Sequence, residues 1–218
     1  MNTLNRRVLK TRTRAWPSAI ARGLARAGLT PNQVSLAGIA FAGLSAFGFT
    51  MAAAATPPGA GVSTWLVIAA AGIQLRLLCN LLDGLMAIEG GLKSKTGELF
   101  NEIPDRVADI LILLGAGVAA TAHRWGLELG VAAAILAVLT AYVRLLGGSL
   151  GFTQDFGGPM AKQHRMFVLT VGVLGAAAEH AVRGSTWMLI VALWIIVIGS
   201  AFTVIRRTMH VARDLRAR

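Results

Sequence analysis

Apolar residues fill this chain in long runs broken by short polar stretches. Six of these runs, at about 31–55, 63–89, 97–122, 127–150, 164–182 and 185–206, come close to or exceed the roughly 20 residues that carry a helix across a bilayer. Six transmembrane helices are therefore expected. Ahead of them, over 16–27, Trp16, Ile20 and Leu24 recur every fourth residue while Arg22 and Arg26 point away, the pattern of an amphipathic helix lying in the membrane interface. Thr30 and Pro31 supply an N-cap and a proline at the first helical position, and Thr56-Pro57-Pro58-Gly59 ends the first span. The expected fold is an all-α polytopic membrane protein, six transmembrane helices preceded by an interfacial amphipathic helix. It divides into a basic segment over 1–29, a transmembrane domain over 30–207 and a basic tail over 208–218.

Composition agrees with that class: 55% of the 218 residues are hydrophobic and 14% charged, with a mean hydropathy of +0.64. The formal charge of +11 does not point to nucleic acid, because the basic residues flank apolar spans, where they meet an anionic membrane surface. With a cytoplasmic N-terminus, the inside set holds Arg6, Arg7, Lys10, Arg12, Arg14, Lys93, Lys95, Lys162, Arg165, Arg206, Arg207, Arg213, Arg216 and Arg218. The outside set holds only Arg124 and Arg183. Under the positive-inside rule both termini face the cytoplasm, as expected for a multi-pass protein of a bacterial inner (plasma) membrane. No apolar core of signal-peptide type precedes the first span, so no cleaved leader is expected. The single cysteine, Cys79, excludes an intrachain disulfide and reads as a small core residue.

Chemistry concentrates where the second and third spans meet. Asn80, Asp83, Asn101, Glu102, Asp105 and Asp109 cluster in a chain otherwise poor in carboxylates. At about 100° per residue, Asn80, Asp83 and Ala87 share a helix face with Arg76. Glu98, Asn101, Glu102, Asp105 and Asp109 fall within roughly a third of the circumference of the next helix. Gly84 and Gly97 remove side chains beside them, so a ligand or a facing helix can come close to the backbone. Such an oxygen-rich cluster suits a hard cation, Mg²⁺ or Mn²⁺, and no closely spaced His or Cys suggests zinc. Arg76, Arg106 and Arg144, inside apolar stretches, each require a partner or an anion; for Arg106 this is a headgroup or a carboxylate on a neighbouring helix. Lys162 and Arg165 open the fifth span, where side chains and free helix N–H groups can hold a phosphate. Pro104, one residue before Asp105, frees a carbonyl and bends its helix.

The spacing Asn80-x-x-Asp83-Gly84-x-x-Ala87-Ile88, eight residues, then Gly97-x-x-x-Asn101-x-x-x-Asp105 resembles the signature of the CDP-alcohol phosphotransferases. That signature reads Asp-x-x-Asp-Gly-x-x-Ala-Arg, eight or nine residues, then Gly-x-x-x-Asp-x-x-x-Asp. Three positions differ: Asn80 and Asn101 stand where the family has Asp, and Ile88 where it has Arg. Thr30-Pro31-Asn32 resembles the segment the family carries before its first membrane helix.

The resemblance implies transfer of a substituted phosphate from a CDP-linked donor, commonly CDP-diacylglycerol, to an alcohol with release of CMP, in phospholipid synthesis. It implies aspartates that bind two divalent cations, the last of them also acting as base. Carried over, Asp83 and Asp105 are metal ligands and Asp105 the catalytic base, Asn80 and Asn101 occupy ligand positions as neutral amides, and Gly84, Ala87 and Gly97 line the nucleotide side. Glu98, Glu102 and Asp109 are candidates to restore the missing charge, and Arg76, Lys162 and Arg165 to hold phosphate. Homodimerisation is also implied by resemblance. A catalytically silent relative that binds nucleotide, lipid or a partner subunit is the alternative, and a transporter using the intramembrane charges the third class.

Overall fold

The structure, a computed structural model, describes residues 15–55, 60–89 and 96–217. The basic residues before position 15, the Thr56–Gly59 break, Lys93, Lys95 and Arg218 lie outside them. The described residues form seven helices and no strand: α1 (Ala15–Arg26), α2 (Pro31–Ala54), α3 (Ala60–Glu89), α4 (Gly97–Ala119), α5 (Gly126–Ser149), α6 (Lys162–Arg183) and α7 (Trp187–Arg216).

Local sequence sets the ends. Thr30 caps α2 in a capping box: the Gln33 N–H donates to its hydroxyl at 3.3 Å and its own N–H donates to the Gln33 side chain at 2.8 Å. Pro31 follows as the first helical residue, where its missing N–H is no loss. Gly184 closes α6 in the left-handed conformation (φ 68°) and donates to the His180 carbonyl, as glycine commonly does at this position. α7 continues past the apolar run that ends near 206 to Arg216, since Arg, Ala and Leu sustain a helix after the continuous hydrophobic stretch has ended.

Five helices, α2, α3, α5, α6 and α7, are long and apolar enough to cross a membrane. α4, expected as the third span, does not meet that description because Glu98, Glu102, Asp105, Arg106 and Asp109 occupy its first half. Outward faces carry large apolar side chains, among them Phe47, Val67, Ile135, Phe167 and Ile198, which suits a hydrocarbon surround. The chain is a multi-pass membrane protein.

The long helices close a ring. α2 packs on α3, α3 on α6, α6 on α7, α7 on α5, α5 on α4, and α4 back on α2. Small residues set the spacing: a Cβ on Gly48 would stand 2.9 Å from the Ala69 nitrogen, one on Gly72 2.7 Å from the Ser45 nitrogen, and one on Gly130 2.5 Å from the Gly117 Cα. Among the small residues of α2, Gly38 meets Cys79 on α3 and Ala46 meets Gly115 on α4. Ile73, Ile112, Leu113, Met166, Leu169, Leu193 and Ile196 fill the interior. Cys79 is buried and free, in the apolar cluster beneath α1. α1 packs on α3 through Ala21, while Trp16 and Ile20 remain exposed.

Candidate active site

The ring points one polar stretch from each of α3, α4 and α6 at a common point. Arg76 on α3, Asp109 on α4 and Arg165 on α6 are 2%, 0% and 1% exposed, and their ion pairs tie three helices together. Arg76 Nη2 donates to Asp109 Oδ1 at 3.1 Å, and Arg165 Nη2 to Asp109 Oδ2 at 2.9 Å. Charges this dry persist because each carboxylate oxygen has its own guanidinium. Asp109 is thus committed to structure, and one of the three expected supporting charges is spent there.

One turn toward the open end, Asp105 is held from several sides. Its Oδ1 accepts from Arg76 Nη2 at 3.0 Å and from Asn80 Nδ2 at 3.1 Å, and its Oδ2 meets the Lys162 ammonium in a close contact. Asn80 Nδ2 also reaches Asn101 Oδ1 at 3.4 Å. Asp83 lies on the same side of α3 and accepts a 2.5 Å hydrogen bond from Ser35 on α2. Ser35, Arg76, Asn80, Asp83, Asn101, Pro104 and Asp105 line a cavity of about 10 Å³, room for one water-sized occupant.

The structure therefore brings together Arg76, Asn80, Asp83, Asn101, Asp105, Asp109, Lys162 and Arg165. Gly84, Ala87 and Gly97 sit partly exposed around them, Gly97 at the start of α4. Glu98 is exposed and makes no ion pair with a described residue. Glu102 turns the other way, to Arg144 on α5 at 2.6 Å. Arg106 pairs on its own helix, with Asp105 at 3.6 Å and Glu102 at 3.9 Å; of the two expected partners, a headgroup or a carboxylate on a neighbouring helix, the second is not the one it meets among the described residues. Its position four residues after Glu102 puts the two on one stripe.

Arg144 opens a second feature that the signature does not contain. Its Nη1 donates to Gln154 at 2.6 Å, and its guanidinium lies 5.1 Å from the Phe156 ring centre. Arg144, Gln154, Asp155, Phe156, Arg207, His210 and Asp214 line a cleft of about 280 Å³ between α5, α7 and the loop before α6. Asp155 anchors the loop, accepting from the Gly157 N–H at 2.7 Å and pairing with His210 at 2.9 Å. Burial pushes the Asp155 carboxyl up, but the Gly157 and His210 hydrogen bonds, with Arg206 and Arg207 nearby, outweigh it and hold it below its ordinary value. Sequence reasoning missed this cleft. Its one signal was Arg144, a charge in an apolar run without a visible partner.

No family model matches the chain. The phosphatidylinositol phosphate synthase of Streptomyces avermitilis is 30% identical over 199 residues, spanning 88% of this chain and 75% of that protein. The chain belongs to the CDP-alcohol phosphotransferase family. It is an enzyme of phospholipid synthesis that transfers a substituted phosphate from a CDP-linked donor to an alcohol. The Mycobacteroides abscessus phosphatidylinositol phosphate synthase is 28% identical over 198 residues, covering 89% of this transferase and 82% of the relative. The fold matches crystal structures of the Mycobacterium tuberculosis phosphatidylinositol phosphate synthase, one with CDP-DAG bound and one in complex with manganese and citrate, each at TM-score 0.70 and 24% identity. The former match covers 89% of this chain and 92% of that one.

The donor set of this transferase can be compared with the metal the family implies. Asp83 retains an oxygen beyond its Ser35 bond, the amide oxygens of Asn80 and Asn101 are neutral donors, and hard divalent cations take carboxylate and amide oxygens alike. That set fits one divalent ion. Among the described residues no three carboxylate, imidazole or thiol groups converge on a common point, and both Asp105 oxygens already face cations.

Proposed function

We propose that this transferase moves the phosphatidyl group of CDP-diacylglycerol onto a hydroxyl of a phosphorylated polyol such as inositol phosphate, releasing CMP. The relatives are named for that product, and the observation that carries the reading is the basic cleft of Arg144 and Arg207, tied to α4 through Glu102. Arg144 is paired with Glu102 and Arg207 donates to the Gly157 and Thr140 carbonyls; an anionic acceptor adds charge-assisted hydrogen bonds to these cations that a neutral alcohol does not.

In the step itself the acceptor oxygen attacks the phosphatidyl phosphorus, the bond from phosphorus to the CMP oxygen breaks, and the hydroxyl proton passes to Asp105. A base must lie within hydrogen-bond reach of that hydroxyl, so acceptor binding shifts the Lys162 contact. Asp83, Asp105, Asn80 and Asn101 are the residues that would hold Mg²⁺ or Mn²⁺, which neutralises pyrophosphate charge when bound. Gly84, Ala87 and Gly97 form the nucleotide side. Arg76, Lys162 and Arg165 supply cations for the phosphates in place of the family arginine lost at Ile88.

In the membrane, α4 is the sixth span. Its charged face turns inward to partners while Leu99, Ile103 and Val107 stay exposed, as a charged intramembrane helix requires. α1 lies in the interface with Trp16 and Ile20 outward, both termini and the site mouth are cytoplasmic, and two copies form a homodimer. The test is CMP release by the purified protein in lipid nanodiscs with CDP-diacylglycerol, Mg²⁺ or Mn²⁺, and glycerol 3-phosphate, inositol phosphate, serine or choline. Release with inositol phosphate, abolished in Asp105→Ala, is expected. Release only with a neutral alcohol, or none with any pairing, overturns the reading.

A further inference from the structure

Resting on that reading, we infer that the Lys162 ammonium stands in for one metal ion, so that the transferase works with a single divalent cation per chain. A diphosphate donor must be neutralised before a hydroxyl oxygen can approach it, and fixed side chains can supply positive charge as metals do. Here the positive charge is already built in. Five cationic side chains, Arg76, Arg106, Arg144, Lys162 and Arg165, are paired among only three carboxylates, Glu102, Asp105 and Asp109, while Asp83 accepts from the neutral Ser35 hydroxyl.

Two of the four signature positions that could counter extra metal charge, Asn80 and Asn101, are neutral. The Asn80 amide turns its N–H, not its oxygen, toward Asp105. Lys162 occupies the Asp105 oxygen that a further cation would need. A second divalent ion would have to displace it and then share an already cationic site.

Other donors in the cluster are unspent. Arg165 Nε and Nη1 and Arg76 Nη1 are buried without a hydrogen-bond partner, an arrangement that costs stability in a dry interior unless an anion arrives. Lys162 is also the first residue of α6, so the helix dipole adds to its charge.

Mn²⁺ titration of the nanodisc-embedded protein, followed by electron paramagnetic resonance without substrate, tests this independently of turnover. One Mn²⁺ per chain is expected in the wild type. Lys162→Met, which removes the charge, tightens binding about tenfold or more because a like charge near the ion is gone, while Lys162→Arg keeps the wild-type affinity. Adding Asn101→Asp to Lys162→Met creates a second site. Two ions or none in the wild type overturns the inference, as does Lys162→Met binding Mn²⁺ unchanged or more weakly. Failure of the acceptor assignment would show instead in the CMP assay, with the ion count unaffected.

Discussion

Replacing Asp109 by asparagine separates a structural carboxylate from Asp105, the proposed base four residues away. Asp109 is 0% exposed and accepts from two guanidiniums, through Oδ1 at 3.1 Å and Oδ2 at 2.9 Å. The amide has nearly the same shape, but it presents an N–H to one of the two arginines and neutralises neither. Arg76 keeps Asp105 at 3.0 Å, so the loss falls mainly on Arg165, which among the described residues forms its ion pair with Asp109. Breaking a buried pair on one side costs about 3–5 kcal/mol, and the retained Arg76 contact puts Asp109→Asn near the lower end, about 3 kcal/mol. For a chain of this length, at about 2–4 °C per kcal/mol, Tm falls by roughly 6–12 °C. The single cysteine offers the assay. Cys79 is buried on α3, 8% exposed, so a thiol-reactive fluorophore labels it as the bundle opens on heating. Asp105→Asn, whose site is partly exposed, should instead abolish CMP release with a much smaller change in Tm. If Asp109→Asn melts with the wild type yet releases no CMP, Asp109 belongs to the chemistry and the assignment is wrong.

Two further predictions concern the scaffold. Gly130→Leu places its Cβ 2.5 Å from the Gly117 Cα and 2.9 Å from the Leu113 carbonyl; it forces α4 from α5, costs about 1–3 kcal/mol or more, and lowers Tm in the same thiol assay, while an unchanged Tm would show that the pair is not close-packed. Asp155, whose carboxyl is held below its ordinary value of 3.8, contributes stability that is fully present above that value and is lost as pH falls through its lower folded value. The Tm gap between wild type and Asp155→Asn should therefore hold from neutral pH to about 4 and shrink below; a gap constant to lower pH would refute the Asp155 anchor.

Much of the fold was legible because bilayer thickness imposes one helix length on every apolar run. The runs that end near 55, 89, 150 and 182 end within a residue of the observed helices α2, α3, α5 and α6. Thr30-Pro31 was legible for a different reason, since an N-cap followed by proline is a purely local signal, whereas the capping box with Gln33 emerges only in the structure. The C-terminal boundary near 206 was not, because hydropathy reports where lipid ends and not where the helix ends; α7 continues to Arg216. The order of helices around the ring was also invisible. Glycines such as Gly48 and Gly117 announce close approach without naming the partner, which in each case lies on another helix.

The active-site residues were legible as a set but not in their division of labour, and the ring explains why. Spacing along α4 puts Glu102, Asp105 and Asp109 on one face, yet each ends beside its own set of cations: Glu102 beside Arg144 of α5, Asp105 beside Arg76 of α3 and Lys162 of α6, and Asp109 beside Arg76 of α3 and Arg165 of α6. The depth of each along the helix then decides its role. Asp109, enclosed by two arginines, locks three helices together. Asp105, one turn nearer the opening and 14% exposed, keeps its carboxylate within reach of a substrate. Glu102 holds Arg144, which lines the cleft, at 2.6 Å. On the proposed mechanism a single stripe of carboxylates thus grades along one helix from Asp109, which is structural, through Asp105, the base, to Glu102, which holds an acceptor-binding arginine. On the inference that one divalent ion serves each chain, the same grading accounts for Asn80 and Asn101: Asp105 draws its counter-charges from Lys162 and Arg76, and fewer aspartates are needed where fewer metal ions are held.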